Sequence, residues 1–117
     1  MPRTVLIVDD HDAFRESASA LLEAEGFAVV GEAADGDRAI AEAERLHPQV
    51  VLLDIQLPGL DGFAVAERLA AAPDPPRVVL ISSRDAAAYG ARLRDASARG
   101  FIAKRELSGA ALEALVG

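Results

Sequence analysis

Five side chains in this sequence have the types and placement to do chemistry together, and each comes directly after a short apolar run. Asp9 and Asp10 follow Val5–Val8, Asp54 follows Val50–Leu53, Ser82 follows Val78–Ile81, and Lys104 follows Phe101–Ala103. A protein interior tolerates a carboxylate poorly. A buried run that ends on Asp54, with the turn at Leu57-Pro58-Gly59 postponed, implies a strand whose rigidity holds that carboxylate in place. Three carboxylates brought together repel, so at neutral pH they keep extra protons or recruit a cation. An oxygen-only set with open positions suits Mg²⁺ (or Mn²⁺), completed by waters and phosphate oxygens. The backbone carbonyl of Gln56 offers one more oxygen ligand. With no cysteine and only two histidines, a zinc site is not expected. Lys104 would neutralise a carboxylate and bind a phosphoryl oxygen, to which Ser82 could donate a hydrogen bond. The set reads as phosphoryl transfer with an aspartate as acceptor.

The lysine stands out for a second reason. Of 12 basic residues it is the only lysine, the rest being arginine. Either a compact ammonium is needed at that one place, where a planar guanidinium would not serve, or the single lysine is chance in an arginine-biased composition.

The elements that must position these groups follow from the hydrophobic pattern. The five runs Val5–Val8, Phe27–Val30, Val50–Leu53, Val78–Ile81 and Phe101–Ala103 read as strands, with helical stretches between them. The helices are expected from Asp12 to Glu25, from Asp35-Gly36-Asp37 to Leu46, from Gly62 to Ala72 under an Asp61 cap, from an Asp85 cap to about Ala98, and from Leu107 to Val116. Strand and helix alternate five times, which implies a parallel sheet with right-handed crossovers and helices on both faces. Runs 1, 3 and 4 are continuously apolar, as interior strands are, and runs 2 and 5 suit the edges. The expected fold is an α/β, doubly wound (βα)5 sandwich of the flavodoxin-like type, with strand order 2-1-3-4-5. In such a sheet the functional crevice lies at the C-terminal ends of the strands. All five reactive side chains fall there.

The bulk numbers narrow the setting. At 117 residues with 51% hydrophobic content, the chain is one domain with a real core. No apolar run approaches a membrane span, so no membrane association is expected. The absence of cysteine and of a signal-peptide layout makes a cytoplasmic protein the expectation. A formal net charge of −7 makes the chain by itself a poor binder of nucleic acid.

Four motifs, in order, resemble the response-regulator receiver domain over essentially the whole chain. They are Val8-Asp9-Asp10-His11, Asp54 with Leu57-Pro58-Gly59-Leu60-Asp61-Gly62, Ser82-Ser83, and Gly100-Phe101-Ile102-Ala103-Lys104. The resemblance implies that Asp54 accepts a phosphoryl group from a phosphohistidine on a sensor histidine kinase. It implies that Asp9, Asp10, Asp54 and the Gln56 carbonyl hold Mg²⁺, and that Lys104 pairs first with the carboxylates and then with the phosphoryl group. Ser82 would be the switch hydroxyl, and Phe101 the switch aromatic where many relatives have tyrosine. Gln56 and Arg84 would face the mouth of the site and tune phosphate lifetime, while the small Ser83 leaves room for the incoming group. Such a domain catalyses only its own phosphorylation and slow dephosphorylation. The face of the fourth helix, fifth strand and fifth helix would change shape in response.

Val30-Gly31-Glu32-Ala33-Ala34-Asp35-Gly36 resembles the subfamily that carries a helix-turn-helix DNA-binding domain behind the receiver. Arg105, where many receivers have proline, fits that subfamily too. DNA would then be met only through a C-terminal domain absent from this chain, and homodimerisation stays open. The fifth helix stops at Gly117 without a linker, so a chain cut after the receiver is expected ahead of a stand-alone relay or protein-binding module. An aspartate-nucleophile phosphatase is disfavoured, since its second aspartate would fall at Gln56. His11 is expected to be a surface residue at a helix start, and His47 a helix end without function.

Overall fold

The computed structural model describes residues 2–117. Five strands, β1 (Thr4–Val8), β2 (Ala28–Ala33), β3 (Val50–Asp54), β4 (Arg77–Ser82) and β5 (Gly100–Ala103), form one parallel sheet in the order β2-β1-β3-β4-β5. The helices are α1 (Asp12–Ala24), α2 (Gly36–Leu46), α3 (Gly62–Ala70), α4 (Ala91–Asp95) and α5 (Gly109–Val116). The expected doubly wound fold and strand order are observed.

Strand alternation divides the core in two. Leu6, Val8, Val51, Leu53, Val78 and Leu80 pack on one face against α2 and α3. Val5, Ile7, Val50, Leu52, Val79 and Ile81 pack on the other against α1 and α5. Both sides of β1, β3 and β4 are therefore apolar, the physical reason their sequences do not alternate with polar residues. This two-sided burial anchors the strand ends that carry the candidate site.

The edges depart from the expected bounds. β2 runs on through Gly31-Glu32-Ala33, and its register against β1 jumps between Val5 and Leu6, so Val30 is the extra residue of a bulge. The bulge turns Val30 outward, where it is 38% exposed. Gly31 follows, where a Cβ would lie 2.7 Å from Leu46 Cδ1.

The fourth helix is the main correction. A helix from Asp85 to about Ala98 was expected; the chain instead makes a 3-10 turn at Ala86–Ala88, breaks at Gly90 (φ 55°, ψ −130°), and is helical only over Ala91–Asp95. Ala86, Ala87 and Ala88 are all exposed, so this turn buries no apolar face to stabilise a longer helix. Gly90 adopts a conformation that other residues avoid. Asp85 makes no side-chain capping bond and pairs with Arg105 instead. The fifth helix starts at Gly109 under a Ser108 cap, and Lys104–Glu106 forms a 3-10 turn. Asp61 caps α3 as expected, accepting from the Ala64 amide at 2.9 Å.

Candidate functional site

The C-terminal ends of β1, β3, β4 and β5 bring the sequence candidates to one edge of the sheet. Asp9 follows β1 and is tied to the end of β2 by its amide, which donates to the Ala33 carbonyl at 3.0 Å. Asp54 closes β3 in register with Ile81 of β4. Asp9 and Asp54 are 0% and 2% exposed. One ligand atom from each of Asp9, Asp10, His11 and Asp54 can be chosen so that all lie within 4.8 Å of one another.

Lys104 enters this cluster from the end of β5. Its Nζ lies 2.5 Å from Asp9 Oδ2 and 3.4 Å from Asp54 Oδ2, where it donates a hydrogen bond. The closer contact is an ion pair, and Asp9 Oδ2 is buried with no other polar partner. The Phe14 ring lies 4.5 Å under the ammonium. The Gln56 amide donates to Asp54 Oδ1 at 3.1 Å, while the Gln56 side chain is exposed.

Burial is the main cause that lifts the Asp54 carboxyl from 3.8 to about 6, and the charge of Asp9 adds to it. The Lys104 ammonium and the Gln56 amide pull the other way without overcoming it. The donor set fits a hard divalent cation. It offers buried carboxylates held at close quarters, one buried oxygen whose partner is the Lys104 ammonium alone, and a phosphoacceptor candidate reluctant to ionise alone.

The approach of α3 depends on a glycine. A Cβ on Gly62 would lie 2.6 Å from Ile55 Cα and closer still to the Asp54 carbonyl. Without it, the Gly62 amide donates to the Ile55 carbonyl at 2.8 Å. This bond fastens the turn after Asp54 to the helix start.

Ser82 is fully buried at the end of β4, with Ser83 and Arg84 exposed beyond it. The Arg84 amide donates to Ser82 Oγ at 3.0 Å. Phe101 lies half-buried on β5. His11 is at the helix start and its side chain is 69% exposed, as expected, yet its Nδ1 lies 3.1 Å from both Asp9 Oδ1 and Asp10 Oδ1.

Three participants were missed in the sequence. Arg15 donates from Nη1 to the Asp9 carbonyl at 2.5 Å and from Nε to Glu32 at 3.1 Å, joining the loop after β1 to the end of β2. Phe14 brings its ring from α1 against the Lys104 ammonium. Tyr89 places its hydroxyl 2.6 Å from Ser82 Oγ. One signal was available for Tyr89, the single tyrosine of the chain. A groove of about 620 Å³ lies at the far end of the sheet, between the C-terminal ends of α2 and α3, and holds none of these groups.

Residues 5–116 match the response regulator receiver domain family. The chain belongs to that family. It is similar to the virulence-factor transcription regulator BvgA of Bordetella pertussis, 37% identical over 106 residues that cover 91% of this chain and 51% of BvgA. It is also similar to a protein-glutamate methylesterase/protein-glutamine glutaminase of Anaeromyxobacter dehalogenans, 44% identical over 108 residues, covering 92% of this chain and 31% of that protein. Among solved structures, the receiver domain of the response regulator NarL from Mycobacterium tuberculosis superposes with a TM-score of 0.87 at 36% identity, covering 99% and 98% of the two chains. This receiver thus spans about half the length of BvgA and about a third of the methylesterase. Receivers act with histidine kinases or phosphotransfer proteins and bind Mg²⁺ in an acidic pocket. Among the described residues, no helix is long and apolar enough to cross a membrane.

Proposed function

We propose that this receiver is the phosphoacceptor of a two-component system, with Asp54 as the acceptor. The observation that carries the reading is the position of Asp54. It is a buried carboxylate at a strand end, raised to about 6 and within reach of the chain's one lysine. A Asp54 carboxylate oxygen attacks the phosphorus of a kinase phosphohistidine. The O–P bond forms as the N–P bond breaks, and the imidazole nitrogen keeps that electron pair and takes a proton. Water later attacks the same phosphorus, releasing phosphate and restoring the carboxylate.

Asp9, Asp10, Asp54 and the Gln56 carbonyl would hold Mg²⁺ (or Mn²⁺), which when bound supplies positive charge against the phosphoryl oxygens. Lys104 takes its share of that charge, and buried Ser82 donates to a phosphoryl oxygen. Gln56 and Arg84, both exposed at the mouth, regulate access of water. Phosphorylation then biases a two-state equilibrium by the difference in its interaction with the two states. Movement of Ser82 and Phe101 carries that bias to the face of α4, β5 and α5.

The output is a C-terminal DNA-binding domain that controls transcription, as the similarity to BvgA supports. The methylesterase relative favours a second reading, in which the receiver serves an output other than DNA binding. The test is the intact mass after incubation with acetyl phosphate, with and without Mg²⁺, beside Asp54→Asn. One Mg²⁺-dependent phosphoryl increment, lost in the variant, is expected. An increment retained by Asp54→Asn would sink the assignment.

A further inference from the structure

We propose that Tyr89 is a positioning residue of the switch, holding the Ser82 hydroxyl in its resting place and linking it to α4. The inference rests on the receiver reading above and goes beyond it, since that reading gives no role to Tyr89.

The Ser82 hydroxyl has one proton to give and two lone pairs. In this buried position the Arg84 amide uses one lone pair at 3.0 Å, and the Tyr89 hydroxyl is the second partner at 2.6 Å. The two partners differ in how they can respond when Ser82 swings toward a phosphoryl group on Asp54. Arg84 is two residues along the same turn and can travel with it. Tyr89 is anchored elsewhere.

That anchor is aromatic. The Tyr89 ring lies 5.8 Å from Phe63 of α3, edge to face, and 6.3 Å from Phe101 of β5. Phe63 in turn carries the Arg92 guanidinium 4.2 Å from its ring, and Arg92 reaches Asp61, the cap of α3, at 3.4 Å. Phe101 has no hydroxyl, so the phenol at the switch comes from the loop between β4 and α4. A swing of Ser82 must either break its bond to Tyr89 or draw the ring from between Phe63 and Phe101. The bond therefore stabilises the resting state. Its release frees the turn leading through Gly90 into α4, the element the sequence pattern had placed in a longer helix.

Two consequences follow. Tyr89→Phe removes one oxygen and keeps the ring, so the population with Ser82 free should rise by the worth of one hydrogen bond. That predicts Mg²⁺-dependent phosphorylation by acetyl phosphate roughly two- to tenfold faster than in the parent. Because Tyr89 acts through Ser82, the same substitution made on a Ser82→Ala background should change nothing, a coupling that a merely structural role would not produce. Tyr89 is also the only tyrosine in a chain without tryptophan. Its emission therefore reports the contact directly, and should change on phosphorylation of the parent and not of Ser82→Ala.

The experiment is the phosphorylation time course, by intact mass, of the parent, Tyr89→Phe, Ser82→Ala and the double variant, with tyrosine emission recorded alongside. A faster Tyr89→Phe whose advantage disappears without Ser82 supports the proposal. A parent that phosphorylates, with Tyr89→Phe within twofold of it and emission unchanged, overturns the role of Tyr89 alone. Equal acceleration with and without Ser82 overturns it as well. A parent that takes no phosphoryl group overturns the receiver reading, and this inference with it.

Discussion

Lys104 Nζ is closer to Asp9 Oδ2, at 2.5 Å, than to Asp54 Oδ2, at 3.4 Å. The resting lysine thus compensates chiefly the carboxylate that follows β1 and leaves the strand-end carboxylate of β3 only partly countered. This agrees with Asp54 being lifted to about 6 despite the ammonium nearby.

Removal of the ammonium would leave Asp9 and Asp54 buried without a cation. Lys104→Ala should cost about 3 kcal/mol in metal-free buffer, the scale of breaking a buried pair from one side. Added MgCl₂ should recover part of that loss, because ligand binding to the folded state stabilises it. Urea unfolding with and without Mg²⁺ measures both effects. A variant as stable as the parent without Mg²⁺ contradicts a charge balance held by Lys104.

Asp54 gives the stability of the protein a pH dependence. Its folded value, about 6, lies above the ordinary 3.8, so the native state holds this proton more tightly than the unfolded chain. Stability from this group is full below about pH 4 and is lost as pH rises to about 6; above that it is constant. The span amounts to about 3 kcal/mol in the metal-free protein. Asp54→Asn removes the titration, so the difference in unfolding free energy between the variant and the parent should grow across that window and favour the variant at pH 7. Urea midpoints at pH 4.5 and pH 7 test it, and a constant difference would contradict it.

Gly62 tests the link between fold and site. Gly62→Ala places a methyl group against the backbone at Asp54 and Ile55, which no side-chain rotation can relieve. A loss of about 1–3 kcal/mol is expected from such overpacking. Phosphorylation by acetyl phosphate should slow as well, since the turn after Asp54 shifts. Denaturation together with the acetyl phosphate time course checks both.

What could be read in the sequence was what short-range pattern encodes. Val5–Val8, Val50–Leu53 and Val78–Ile81 are apolar on both faces because helices cover both, and that burial leaves its mark residue by residue. The same runs point to Asp9, Asp54 and Ser82 simply as the residues that come next. Asp35 and Asp61 occupy helix N-caps, a local matter of an oxygen reaching an amide three residues on. The break at Gly90 was hidden, because alanine-rich sequence favours a helix until tertiary contacts decide otherwise.

The sequence by itself therefore determined the alternation of strands and helices, the strand order and the set of groups at one edge of the sheet. Only the tertiary structure decided how those groups share their charge and hydrogen bonds. The nearness of Lys104 to Asp9, the bond of Arg15 to the Asp9 carbonyl and the engagement of Tyr89 with Ser82 are such choices. Each depends on side-chain directions across separate elements, to the ångström, and no periodicity along the chain carries that information. Burial and the neighbouring Asp9 charge then raise the Asp54 carboxyl, against the partial pull of the Lys104 ammonium and the Gln56 amide.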